Sequence, residues 1–392
     1  MADLYHLQEA REQKDSVKKR KRKIIGLIAA IAVGIVIALI VLFYFLNNRS
    51  YNSYEVKSEV ERSDSNNLGY LYHNGNILKY SRSGISAMDN RGNALWNGGF
   101  EMKQPQVDLC GDYVVVADVT GKQFFVYNGE DEGTSMETTL PVVRAKVAAQ
   151  GVTAVLLQDT DSNVLNIYNP YNTTTSLLVE IPTNVSEEGY PLDFDISPDG
   201  NSLAVSYMIV KGNKVENKVS FYNFTEVGQD SNTLVGGKTF QDSMISCVEF
   251  IGEDEVAVLH EKGVTLFRGM KQPEIQAEIS FEEEIKSMAY SDKYIAIVTR
   301  NKSDKQTLHL YNAKGKEVLT QEIAYDYADM KIYNDEIFFV SNHHCSILRT
   351  NGHEKWDCGF ENGIDSIFPT GNGSVYTLLE EEKIQRIRLT KK

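Results

Sequence analysis

From about residue 53 to the C-terminus the chain alternates apolar and polar positions in short runs, each closed by Gly, Asn or Asp. Val107–Cys110, Tyr113–Ala117 and Gln123–Tyr127 are three such runs, punctuated by Gly111-Asp112 and Thr120-Gly121. A period of two with turn residues between runs predicts antiparallel strands. One segment breaks the pattern. Residues 24–46 (IIGLIAAIAVGIVIALIVLFYFL) carry neither charge nor proline. At about 1.5 Å rise per residue they reach roughly 34 Å, enough for a hydrocarbon core of about 30 Å. They predict a transmembrane helix.

The strand pattern repeats. Gly92, Trp96, Gly99, Phe100 and Glu101 recur without a gap as Gly352, Trp356, Gly359, Phe360 and Glu361. Between them a strand ending in an aromatic and a turn residue returns at 124–128 (FFVYN), 165–169 (LNIYN), 219–223 (VSFYN), 264–268 (VTLFR) and 308–312 (LHLYN). The spacing, about 43 residues of short strands, is the signature of a propeller blade. The longest interval holds Lys211–Lys218 (KGNKVENK), which predicts a hairpin extension in the fourth unit.

Seven units are complete, at 66–103, 104–140, 141–188, 189–242, 243–282, 283–325 and 326–362. The segment 363–392 supplies three strands only, and residues 53–62 (SYEVKSEVER) supply one isolated strand. One terminus completing the blade of the other would close the ring and leave no sheet edge there. The expected fold is therefore an all-β, eight-bladed β-propeller preceded by one transmembrane helix, with seven blades as the alternative.

Charge orients the chain. Of the 40 Lys and Arg and 54 Asp and Glu, eight basic and four acidic residues fall in residues 1–23, and none in the apolar span. The basic run Lys18–Lys23 abuts the helix, and positive flanks remain in the cytoplasm. The chain divides into a cytoplasmic tail (1–23), the helix (24–46) and an extracytoplasmic domain (47–392) in the cell membrane. A cleaved signal peptide would have a shorter apolar core and a small-residue cleavage site. Here the run ends instead in the aromatics Phe43, Tyr44 and Phe45. The outer domain is strongly acidic, which argues against nucleic acid as a partner. Ala30, Gly34 and Ala38 mark a helix face on which small residues permit close approach of a second helix.

Asp193–Ser206 (DFDISPDGNSLAVS) resembles the Ser-Pro-Asp-Gly turn of WD-repeat-like and TolB-like propellers. Through Asn76–Gly84, Ile85–Trp96 and Val107–Ala117 the chain is also similar to a bacterial family of single-pass membrane proteins of unknown function. That resemblance implies a quinoprotein-like propeller. It implies no activity, cofactor or site residue.

Candidate chemistry is sparse. If Asn351-Gly352 forms a two-residue hairpin turn, Cys345 and Cys358 lie directly opposite, in a non-hydrogen-bonded pair. That placement admits a disulfide, and two reduced thiols are the alternative. Cys110 and Cys247 fall on innermost strands as buried thiols. His343 and His344, adjacent on a strand, point to opposite faces and fit no single metal site. Asp159–Asn163 reads as a tight turn, because it lacks the glycine and the glutamate of a calcium loop. Trp96 and Trp356, at matching repeat positions, are expected to fill the space between blades. Asn172, Asn184, Asn223, Asn301 and Asn372 fit the glycosylation triplet. No metal, cofactor or catalytic set is implied. The expected function is a membrane-anchored binding or scaffold module for envelope protein, peptide or glycan partners, the alternative being an extracellular enzyme with its site over the channel.

Overall fold

The computed structural model describes residues 31–391 apart from 40, 43, 46, 47, 63–68, 130, 131, 161, 173, 213, 230–232 and 242. The chain forms two units, Met1–Ser50 and Tyr51–Lys392. In the first, residues 31–39, 41, 42, 44 and 45 are helical and exposed. Among the described residues no helix is long and apolar enough to cross a membrane. Residues 24–30, 40, 43 and 46 of the expected span lie outside the described residues, and so does Ala30. Gly34 and Ala38 lie in the helical stretch.

The second unit consists of eight four-stranded sheets, each antiparallel. Seven are consecutive meanders. Blade 1 runs Gly69–His73, Asn76–Ser81, Gly84–Met88 and Ala94–Gly99, and blade 7 runs Asp329–Tyr333, Glu336–Ser341, His344–Arg349 and Glu354–Gly359. Blade 8 is composite. Ile364–Pro369, Val375–Glu380 and Lys383–Thr390 come from the C-terminus, and Ser53–Glu61 is added as the outer strand. Eight blades close the ring, and the strand expected at 53–62 performs the closure. The long hairpin of blade 4 also forms: Ser202–Lys211 pairs along its whole length with Lys214–Asn223.

The sequence pattern follows from position in the blade. The first strands of blades 2, 3, 4 and 5 touch in succession, as do those of blades 6 and 7, which sets first strands around the axis. Second strands are covered on both faces by adjacent blades and so lose the alternation. Val114, Val115 and Val116 are fully buried, as are Ile295, Ala296, Ile297 and Val298. Outer strands keep it; in Leu177–Asn184 exposed residues flank buried Ile181 and Thr183.

Packing between blades holds the ring. Among the described residues, eight apolar clusters correspond to the eight blade interfaces. Blades 7 and 8 meet through Trp356, Phe360, Tyr376 and Ile387, with Tyr51 and Tyr54 of the N-terminal segment against them. The seam between blades 8 and 1 is the thinnest, built on buried Ile77, Phe368 and Leu379.

Trp96 and Trp356 both pack toward the next blade, as expected. Trp96 stacks on Tyr127 of blade 2 at 5.5 Å, and Trp356 meets Tyr54 of blade 8 edge-on at 6.1 Å.

Candidate functional site

The innermost strands bring together ionisable groups that are far apart in the chain. Lys146, on Val142–Val147 of blade 3, sits among three carboxylates. Its Nζ lies 3.5 Å from Asp108 of blade 2, 3.5 Å from Asp195 of blade 4 and 3.0 Å from Glu249 of blade 5. Contact from blade 3 to blade 5, past blade 4, requires side chains close to the ring axis. Tyr290 of blade 6 donates its hydroxyl to Glu249 Oε1 at 2.5 Å. Arg144 pairs with Asp193 alongside.

The carboxylates also staple blades to one another. The Val147 N–H donates to Asp108 Oδ2 at 2.9 Å, the Val248 N–H to Asp193 Oδ2 at 2.9 Å, and the Phe250 N–H to Asp195 Oδ2 at 2.7 Å. In each case an acid of one blade satisfies a backbone donor of the next, which would otherwise be unpaired inside the ring.

Burial and crowding set the protonation states. Burial raises Asp108, Asp193 and Asp195, with Glu249 and Asp108 adding to the rise at Asp195. Burial also pushes on Glu249, but Lys146 and the Tyr290 hydroxyl outweigh it and hold that carboxyl below its ordinary value. Burial alone would lower Lys146; Asp195, Asp108 and Glu249 together raise it well above the usual lysine range. The cluster thus sets a raised Lys146 between Glu249, whose carboxyl is lowered, and Asp195, whose carboxyl is raised.

The donor atoms of Asp193, Cys247 and Glu249 lie within 4.8 Å of one another. Each is already engaged. Asp193 holds Arg144 and the Val248 N–H, and Glu249 holds Lys146 and Tyr290. Burial raises the Cys247 thiol and keeps it protonated. Both carboxylates of the trio are thus paired with the protein's own cations.

Aromatic rings meet across the first strands of blades 1, 7 and 8. Tyr72 of blade 1 lies 5.0 Å from Tyr333 of blade 7 and stacks on Phe368 of blade 8 at 6.3 Å.

The sequence reading anticipated none of this channel chemistry, although a signal was present. Val107-Asp108-Leu109, Phe194-Asp195-Ile196 and Val248-Glu249-Phe250 each place one acid between apolar residues on a first strand.

Cys345 and Cys358 lie directly opposite, as expected. Both are thiols, Cys345 fully buried and Cys358 half-buried. The turn differs from the expected one. The Gly352 N–H bonds to the Arg349 carbonyl and the Arg349 N–H to the His353 carbonyl, a three-residue loop with Gly352 at φ +86°. A ladder skip at Lys355 then restores the original register. The Phe360 N–H bonds to the His343 carbonyl. Two steps along, this places Cys345 and Cys358 in a hydrogen-bonded pair, at about 5.5 Å between Cα atoms, rather than the closer type.

Cys110 and Cys247 are half-buried on first strands, and burial raises Cys110 to about 11. Asp159 and Ser162 form a tight turn closed by a 2.9 Å backbone bond. One glycosylation triplet is removed: Asn223 is buried, and its amide donates to Ser202 and to the Met270 carbonyl.

A family model matches residues 47–389, nearly the whole propeller unit. The chain belongs to the family of unknown function DUF5711. No curated protein sequence matches this DUF5711 member. Its fold is shared with solved structures. A crystal structure of a eukaryotic initiation factor superposes with a TM-score of 0.54 at 14% identity, over 87% of this chain and 88% of that one. Porphyromonas gingivalis dipeptidyl peptidase 4 superposes with a TM-score of 0.52 at 10% identity, over 81% of this chain and 56% of that one. At these identities the likeness is one of fold.

Proposed function

We propose that this protein is a non-catalytic scaffold, a β-propeller tethered to the outer face of the cell membrane that holds an envelope protein, peptide or glycan. One observation carries the scaffold reading: the ionisable groups at the axis are engaged with one another. Lys146, Asp108, Asp195, Glu249 and Tyr290 bond among themselves and to backbone donors of adjacent blades. They act as internal braces and leave no paired nucleophile and base facing solvent. The tether is supported by the helical stretch, where Ile31, Val33, Leu39 and Phe45 are 55%, 58%, 59% and 68% exposed. Exposed apolar side chains of that kind are unfavourable in water and favourable in lipid.

A second reading has one observation in its favour. Asp195 raised beside Glu249 lowered is the pattern of an acid and base pair. An enzyme would lose its activity in Asp195→Asn and Glu249→Gln variants that remain folded.

Protease treatment of intact cells, with in-cell crosslinking from the propeller, tests the proposal. The scaffold reading predicts digestion of the propeller from outside, retention of the anchor in membranes after alkaline extraction, and reproducible crosslinks to an envelope component. A propeller protected in intact cells, or released by alkali, would refute the tether. Peptide or glycan turnover by the purified protein without a crosslinked partner would refute the scaffold.

A further inference from the structure

A large concavity lies away from the axis, between the outer parts of blades 7 and 8. Its volume is about 1130 Å³, larger than a usual small-molecule site. Tyr54 and Val56 of the closing strand form one wall, and Asp357 and Cys358 of blade 7 the other. Glu361, Glu380, Glu381 and Glu382 complete the lining with Lys383 and Gln385.

The charges there are not balanced from within. Among the described residues Lys383 is the one cation in the lining, and it is held by Glu59 at 3.3 Å. Asp357 is engaged by Ser346 and His344. Glu361, Glu381 and Glu382 are exposed. Glu380 is only 8% exposed, and burial raises its carboxyl above the ordinary range, with Lys383 opposing the rise and Glu59 adding to it.

A second observation is independent of the acids. Gln385, 8% exposed, lies in the groove lining, and its Oε1 is buried without a hydrogen-bond partner. A buried acceptor left open costs about 1–3 kcal/mol, and an N–H donor entering the groove would satisfy it once the Gln385 amide turns toward the groove. Outside the axial trio, no three acidic, thiol or imidazole groups among the described residues converge closely enough to chelate one ion. The groove carboxylates do not converge on one point, which suits several spaced cations rather than one metal.

We propose that the groove between blades 7 and 8 binds a lysine- or arginine-rich extended segment of a protein partner, with the Glu380–Glu382 carboxylates taking its cations and Gln385 Oε1 taking an N–H. The proposal deepens the scaffold reading and rests on it, naming the chemistry of the partner. Arg and Lys carry only donors, as a site built from acceptors requires.

The test uses the full chain in neutral detergent and a fluorescein-labelled nona-lysine peptide, read by anisotropy. Binding is expected to weaken about tenfold in the exposed double variant Glu381→Gln/Glu382→Gln. It should stay within about twofold in a control double variant of exposed acids elsewhere, Glu274→Gln/Glu317→Gln. Gln385→Met should weaken binding about threefold, and bound peptide should slow maleimide labelling of Cys358 under reducing conditions. Equal loss in both double variants, or labelling of Cys358 unchanged by peptide, would reduce the effect to bulk charge and overturn the proposal. Spermine binding as tightly as nona-lysine would assign the groove to a free polyamine and overturn the peptide assignment. In-cell crosslinks that survive Glu381→Gln/Glu382→Gln would refute the groove while leaving the scaffold reading intact.

Discussion

Ser53 lies directly opposite Thr390, so the first and last strands of the folded unit share one antiparallel ladder. The pairing continues to Glu61 opposite Lys383, with a skip at Lys57. Its ends are pinned by the Tyr51 N–H on the Lys355 carbonyl at 2.8 Å and the Arg62 N–H on the Glu382 carbonyl at 2.7 Å. Lys355 is the residue skipped in the blade 7 ladder. Its carbonyl takes Tyr51, while its side chain turns inward to Glu336. The same skip recurs between the third and fourth strands of blades 1, 3, 4, 5 and 6, and in blade 7 the skipped residue's carbonyl also receives the closing segment.

Removing the central cation should expose how much the axis depends on it. The raised lysine contributes fully below its unfolded value of about 10.4 and loses that contribution only as pH rises through the folded one. At neutral pH the whole effect is present. Lys146→Met should cost about 3–5 kcal/mol, the cost of leaving buried charges unpaired. The double variant Lys146→Met/Glu249→Gln should cost less than the single one. Urea unfolding at pH 7 measures both, and a double variant less stable than Lys146→Met would contradict the ion-pair account.

Asp195 should act in the opposite sense. Its folded pKa lies above the unfolded value of about 3.9. The folded state therefore retains a proton that the unfolded chain has released, and stability falls as pH rises through the folded value. Asp195→Asn keeps an acceptor for the Phe250 N–H and removes the ionisation. Its melting temperature relative to the parent should become more favourable as pH rises from the unfolded value through the folded one. A relative advantage that grows on acidification would contradict the assigned direction.

Cysteine labelling separates the four thiols. In reduced native protein Cys358 should react with a maleimide while Cys345, fully buried, reacts only after unfolding. If oxidation produces an intramolecular disulfide, mass spectrometry should find it between Cys345 and Cys358, the pair the ladder sets opposite. A native Cys110–Cys247 link, or equal native labelling of Cys345 and Cys358, would contradict the placement.

The two repeat tryptophans should differ in weight. Trp356→Ala should cost about 3–5 kcal/mol as a large-to-small change in a full core. Trp96, half-buried, should cost roughly half of that. The buried Trp356 Nε1 has no hydrogen-bond partner, so Trp356→Phe loses apolar contact but no bond and should cost no more than about 1–2 kcal/mol. Chemical denaturation of the three variants checks the ranking.

The fold was legible because a propeller writes itself locally. Each blade is a meander whose strands adjoin in sequence, so period-two runs and their Gly and Asn turns show it directly. The missing fourth strand after residue 363 announced the closure. The Cys345–Cys358 register was legible only by cancellation: the loop after Arg349 is one residue longer than the simple Asn-Gly turn, and the skip at Lys355 compensates. The axial cluster was not legible, because Asp108, Lys146, Asp195 and Glu249 meet only through the curvature of the ring. No local spacing encodes that meeting. The groove was equally hidden, since it joins Tyr54 to Glu380 across the closure.

Melting of a chain that starts at residue 66, compared with one that starts at residue 51, tests the closure most directly. The shorter chain lacks the whole outer strand of blade 8 and the Tyr54 contact with Trp356. At roughly 2–4 °C per kcal/mol, loss of several kcal/mol should lower its melting temperature by about 10 °C or more. A synthetic peptide of residues 51–62 added in trans should recover part of the loss. An unchanged melting temperature, with no effect of the peptide, would contradict a ring closed by its own N-terminal strand.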